Sequence, residues 1–224
     1  YLDIVPASAY AGYMNKPNTY VRWSIERTFK GIADAGYRIG KNYQGGEKTV
    51  MAILEIFPAG DSRMSPTQSR HDFWLSVASD VKGILVYAYH YRNSSTNLGN
   101  CMAALSDAAE KFKGAHLDRV MIEGATNTSV NFTITSGPQR TAQLTPPDGS
   151  GALDYPSLKV LAKTWNGSTY IIAVNSNTSP VTANITGLPS GSSATALFED
   201  RNVPVNSGVI TDTFTGLGFH VYKL

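Results

Sequence analysis

The sequence predicts an α/β segment joined to an all-β one: a partial (β/α) barrel of about three βα units over residues 1–115, then an antiparallel β-sandwich over residues 116–224. Three observations carry this. Short apolar runs alternate with segments of helical periodicity as far as Ala115. Beyond it Ser, Thr, Asn and Gly dominate, and short alternating runs lie between turn signals. At 224 residues and 42% hydrophobic, the chain also holds enough apolar material for one large or two modest cores.

Leu2 to Ala9 is a short apolar run suited to a strand buried on both faces. Asn18 or Thr19 is placed to cap a helix whose apolar positions Val21, Ile25, Phe29 and Ile32 share one side, and Gly36 to stop it. Thr49 to Phe57 reads as a second buried strand. Ser65-Pro66-Thr67-Gln68 then opens a helix, with a capping Ser, Pro at the first helical position and Gln three residues after the cap. Phe73, Val77 and Ala78 face inward on it. Lys82 to Tyr91 is the third strand. A third helix runs from about Asn97 to Lys113, with Leu98, Met102, Leu105, Ala109 and Phe112 on one face and Gly114 as its stop. Consecutive βα units demand parallel strands. An open doubly wound sheet and an arc of a (β/α)8 barrel both satisfy that, but no GxGxxG or GxxxxGK[ST] follows a strand to favour nucleotide binding on an open sheet.

In the second half the expected strands are Val130–Thr135, Arg140–Thr145, Leu158–Trp165, Thr169–Asn175, Val181–Thr186, Ala194–Glu199, Gly208–Thr213 and Phe219–Lys223. Asn166-Gly167 is a hairpin turn. Pro146 to Gly151 reads as a surface loop inside the sandwich, and the several Asn-x-Ser/Thr triplets mark exposed loops.

Several function classes start low. Net charge is +2, with 13 basic and 10 acidic residues up to Ala115 and 6 and 7 after it. No basic stripe gathers for nucleic acid, and no run of 18 apolar residues suits a membrane span. The chain opens Tyr1-Leu2-Asp3 with no leader, so a signal peptide is expected to be absent or removed. Cys101, the only cysteine, sits in a helical apolar rhythm and reads as a small buried hydrophobe. The four histidines are too scattered for a zinc site. Neither a metal nor a cofactor is expected.

Glu55 is the residue that needs explaining, because it interrupts an otherwise apolar strand near its end. A carboxylate there is costly unless it is paired or lines a cleft. Paired with Arg63 or Arg92 it would be structural. At the C-terminal edge of a barrel strand it would be catalytic. Alternation puts Met51, Ile53, Glu55 and Phe57 on one face. On the next strand it puts Tyr87, Tyr89 and Tyr91 on the corresponding face, with Tyr87 filling the core and Tyr89 and Tyr91 near the mouth. Tyr10 and Tyr13 follow the first strand in the same way. Tyrosines suit sugar recognition, since the ring stacks on a pyranose and the hydroxyl bonds its polar rim. Arg92 completes this candidate binding set of Tyr10, Tyr89, Tyr91 and Arg92.

These residues reach a resemblance. The Tyr10-bearing strand, the LEIF strand with Glu55, the PTQSR helix from Pro66 to Arg70 and the KGILVYAYHYR run resemble the last three βα units, strands six to eight, of retaining glycoside hydrolases. The group meant is the barrel clan of the β-galactosidases and family 5 cellulases. The ending GVITDTFTGLGFHVYKL, from Gly208 to Leu224, is similar to the closing strands of the sandwich that often follows such barrels. The resemblance implies Glu55 as nucleophile and Tyr89 as an aromatic of the sugar pocket. It also implies a general acid on strand four, for which this chain has no counterpart. Asp3 and Asp61 are the nearest alternatives.

The leading expectation is a glycosidase portion acting on β-linked glycosides. Its partners are a carbohydrate substrate and either a complementary N-terminal barrel segment or a second copy through self-association. A non-catalytic sugar-binding or structural module is the competing class, and a separate small α/β enzyme a third.

Overall fold

The computed structural model of the protein describes residues 4–12, 14–40, 47–57, 64–189 and 193–224. Asp3, Tyr13, Asp61 and Arg63 therefore lie outside the described residues. Contacts divide the chain into two compact units: Tyr1–Ala108 with Ala142–Asp154, and Ala109–Thr141 with Tyr155–Leu224. The sequence boundary at Ala115 falls a few residues beyond this division, which lies within a helix. Residues 142–154, read from sequence as part of the sandwich, group with the first unit.

The first unit carries β1 (Ile4–Ser8), α1 (Thr19–Asp34), β2 (Thr49–Glu55), α2 (Pro66–Ala78), β3 (Gly83–Tyr87) and most of α3 (Thr96–Gly114). The three strands form one parallel sheet in the order β1-β2-β3. Helix α1 packs on β1 and β2, and α2 packs on β2 and α1. One face of the sheet is sealed by this layer: Ala7, Ala52, Leu54 and Ile56 are buried. The opposite face holds Pro6 beside Met51 and Gly83, then Ser8 beside Ile53 and Leu85, then Glu55 beside Tyr87. Leu85 and Tyr87 are about half exposed there, at 50% and 51%. The expectation that β1 is buried on both faces is therefore corrected. Its exposure alternates, because among the described residues a helix covers one side.

Ser65 caps α2 as its sequence demands, its hydroxyl accepting from the Gln68 amide at 3.1 Å with Pro66 at the helix start. Asn18 does not cap α1 with its side chain. The Thr19 hydroxyl is spent on the Ala142 carbonyl instead. On α3 the buried positions are Leu98, Cys101, Ala104, Leu105 and Ala108. That face is rotated from the expected one, because small residues that scarcely register in a hydrophobic pattern form the close-packed side. The third strand also ends early. The strand ends at Tyr87, the Ala88 amide makes a last bond to the Ile56 carbonyl at 3.1 Å, the Tyr87–Ala88 peptide is cis, and Tyr89–Asn93 forms a 3-10 turn.

The second unit holds α4 (Leu117–Glu123), β4 (Ala125–Thr126), β5 (Asn131–Ser136), β6 (Leu158–Trp165), β7 (Ser168–Asn175), β8 (Val181–Thr186), β9 (Ser193–Leu197), β10 (Arg201–Pro204), β11 (Ile210–Phe214) and β12 (Phe219–Lys223). Two antiparallel sheets, β10-β9-β12-β7-β6-β4 and β11-β8-β5, make a sandwich. Leu158, Ile171, Ala173, Ile185, Phe214 and Tyr222 fill its core. Asn166 and Gly167 both have positive φ, 49° and 78°, which matches the strand twist in a two-residue hairpin. Arg140–Thr145 forms no strand; Arg140 and Leu144 make only isolated bridges to Pro156 and Leu153. Trp23 and Trp74 are buried in the first unit, at 6% and 0%, whereas Trp165 in the second unit stands half-buried at its hairpin.

Candidate functional site

At the C-terminal edge of the parallel sheet, three chain segments converge on Glu55. It is the last residue of β2 and is only 6% exposed. Its β3 neighbour in register is Tyr87. On the other side the Ala9 amide still bonds the Ile53 carbonyl at 3.0 Å, so Tyr10 and its loop emerge level with Glu55. The Gly12 amide in that loop donates to Glu55 Oε1 at 2.5 Å.

Aromatic rings line the rim beside the carboxylate. Tyr10 stacks on Tyr87 with centroids 5.9 Å apart. Phe57 lies 5.9 Å from Tyr87 and meets Tyr91 edge-on at 5.4 Å. Tyr10, Tyr87, Phe57 and Tyr91 thus form a continuous row. Burial pushes the Tyr10 phenol above its ordinary range, and the neighbouring Tyr87 and Glu55 add to the rise. It therefore stays an O–H donor at neutral pH. The Tyr20 phenol is likewise raised, chiefly by burial; Arg27 opposes the rise and Glu55 reinforces it.

Two sequence assignments change in place. Tyr89 is not on the strand face with Tyr87, because the 3-10 turn has already redirected the chain. It is 54% exposed, and the Arg92 guanidinium sits over its ring at 4.1 Å. Arg92 thus engages Tyr89 in a separate outer pair. Tyr87, expected to fill the core, is instead half-exposed, at the β3 position in register with Glu55.

Glu55 also borders a small cavity of about 40 Å³ whose lining includes Gly12, Lys16, Asn18, Met64 and Asp72. Asp72 accepts from Gln68 Nε2 at 2.7 Å and lies 2.8 Å from His71 Nδ1. The sequence pattern assigns none of these to a site, and Asn18 only to a helix cap. Lys16 and Asn18 lie in the loop before α1 and Asp72 on the buried side of α2, where only the tertiary fold brings them to Glu55. Among the described residues, no three His, Cys, Asp or Glu side chains gather as a metal site. No described helix is long and apolar enough to cross a membrane.

No protein-family model and no curated protein matches the chain. Solved structures do share its architecture. An α-amylase from Anoxybacillus, described as opening a new glycosyl hydrolase subclass, aligns with a TM-score of 0.53 at 10% identity, over 96% of this chain and 46% of its own. The maltogenic α-amylase AmyB from Thermotoga neapolitana gives 0.52 at 12% identity, over 99% and 50%. AmyP in complex with maltose gives 0.57 at 6% identity, over 97% and 49%. The chain spans about half the length of these proteins. At such identities the likeness is one of fold: a partial barrel and sandwich built like a portion of a glycoside hydrolase.

Proposed function

We propose that this chain is a portion of a retaining glycoside hydrolase acting on β-linked glycosides, with Glu55 as nucleophile and Tyr10, Tyr87 and Tyr91 facing the sugar. One observation carries the reading: a nearly buried carboxylate ends a parallel strand, beside a row of aromatic faces. On barrels that edge is where chemistry is done. Glu55 would attack the anomeric carbon while the glycosidic C–O bond breaks and a general acid protonates the leaving oxygen. Water would then hydrolyse the glycosyl ester, the same acid acting as base. That partner must stand about 5–5.5 Å from Glu55. Asp72 belongs to the helix layer and is held by Gln68 and His71. We therefore assign the acid to a complementary barrel segment. Tyr89 and Arg92 serve as outer contacts.

A second reading keeps the site and changes the linkage. The α-amylase neighbours, and AmyP with its bound maltose, favour α-linked glucans. Assays on aryl β-glycosides and on maltooligosaccharides decide between them, with the chain alone, with a complementary barrel segment, and with E55Q. β-Glycoside hydrolysis that needs the added segment and falls at least about a thousandfold in E55Q is the expected result. Turnover of α-linked substrates alone moves the assignment to the second reading. Undiminished turnover in E55Q removes Glu55 from the chemistry. Sugar binding without hydrolysis in any combination points to a non-catalytic module.

A further inference from the structure

The loop after β1 is built to aim one backbone amide. Within it the Met14 amide bonds the Tyr10 carbonyl at 3.0 Å, the Asn15 amide bonds Gly12 at 3.1 Å, and the Lys16 amide bonds Ala11 at 2.9 Å. Three bonds within seven residues fix the direction of the Gly12 N–H, and it points at Glu55 Oε1. Hydrogen bonds to an ionised acceptor are among the stronger ones and hold its orientation.

Why a glycine stands here is a question of space. Gly12 does not occupy the left-handed region that favours glycine, so alanine meets no backbone penalty. A Cβ on it would instead sit 2.7 Å from Glu55 Oε1 and 3.3 Å from Met64 Cγ. The first distance is shorter than real Cβ contacts allow. Any side chain at position 12 therefore displaces the carboxylate or opens the loop, and either moves Glu55 Oε1 from the place where the Gly12 amide holds it.

The geometry points to Gly12 as the positioning residue of Glu55, acting through its amide and through its lack of a side chain. The role in catalysis rests on the nucleophile reading given above; the bond itself does not. Position matters steeply here, since a misplacement of about 1 Å at a reacting group costs on the order of a hundredfold.

The test has one arm that needs no turnover. In the full chain, the Gly12 amide proton should resonate downfield and move upfield in E55Q, where a neutral acceptor replaces the carboxylate. A Gly12 resonance indifferent to E55Q overturns the proposal. The second arm compares G12A with G31A, a helical glycine whose added Cβ meets nothing within 4 Å. G12A should lose on the order of a hundredfold in kcat with KM unchanged, the signature of a defect in the transition state alone. G31A should match the wild type. A G12A variant with wild-type kcat overturns the proposal even where E55Q is inactive. If the wild type proves inactive in every combination, the glycosidase reading fails and the amide resonance alone decides whether Gly12 positions Glu55.

Discussion

Tyr87 and Tyr89 lie two positions apart, yet one ring belongs to the row beside Glu55 and the other to an outer pair with Arg92. Substitution separates their roles. Y87A removes the face on which Tyr10 and Phe57 pack and should raise KM by about tenfold, the loss of one aromatic contact. Y89A, at an outer contact, should raise KM less. Steady-state kinetics on the preferred glycoside checks both, and a larger effect from Y89A would place the sugar on the outer pair. Glu55 was legible in the sequence because a charge inside an apolar strand demands an explanation. Tyr87 was not, because period-two alternation was carried past the point where the strand stops. The alternation itself holds through Tyr87; what fails is the assumption that it continues.

Strand β10 went unread because it is four residues long and ends in proline, yet it anchors a polar network between the two sheets. Arg201 Nε donates to Glu199 at 2.8 Å and Nη2 to Asp212 at 2.7 Å. The Tyr222 hydroxyl also donates to Asp212, at 2.8 Å, and His220 Nδ1 lies 2.6 Å from Glu199. Burial pushes the Glu199 carboxyl up, but hydrogen bonds from His220 and Arg201 outweigh it and hold it below its ordinary value. Asp212 is lowered in the same way, burial being outweighed by Arg201, Tyr222 and the Thr213 amide. A carboxyl lowered on folding contributes stability that is present above its unfolded value, about pH 4, and lost as pH falls through its folded one. The thermal midpoint of the chain should therefore drop as pH falls below about 4. R201M should lower stability at neutral pH by about 1–2 kcal/mol, a partly exposed network being worth less than a buried one. It should also flatten the acid limb. An acid limb as steep in R201M as in the wild type would show that these carboxyls are not what the acid titrates. Helix α4 escaped for a different reason. Its seven residues follow a left-handed His116, too short a run for periodicity to declare itself.

At the scale of the molecule, one sheet face of the first unit meets no helix layer among the described residues. Ile4, Leu85 and Tyr87 are 37%, 50% and 51% exposed on it, and among the described strands β1 and β3 each pair on one side only. Apolar faces with open strand edges recruit further chains. The isolated chain should sediment above its 24.1 kDa mass. L85E, which puts a charge at the middle of that face, should shift it toward the monomer. A wild-type chain that stays monomeric at high concentration would show that the face is tolerated in water. The alternation of strand and helix, then of short strands alone, made both architectures readable from composition and period. The grouping of residues 142–154 with the first unit was not readable, since it depends on bonds such as Thr19 to Ala142 between positions far apart in the chain.

The placement of the three tryptophans gives the two units different optical signatures. Trp23 and Trp74, shielded from water, should emit toward the blue and report on the first unit, while Trp165, partly exposed beside Tyr170, should emit further to the red and report on the second. Intrinsic fluorescence thus follows each unit separately as denaturant is added. In a W165F chain the whole signal belongs to the unit that carries Glu55.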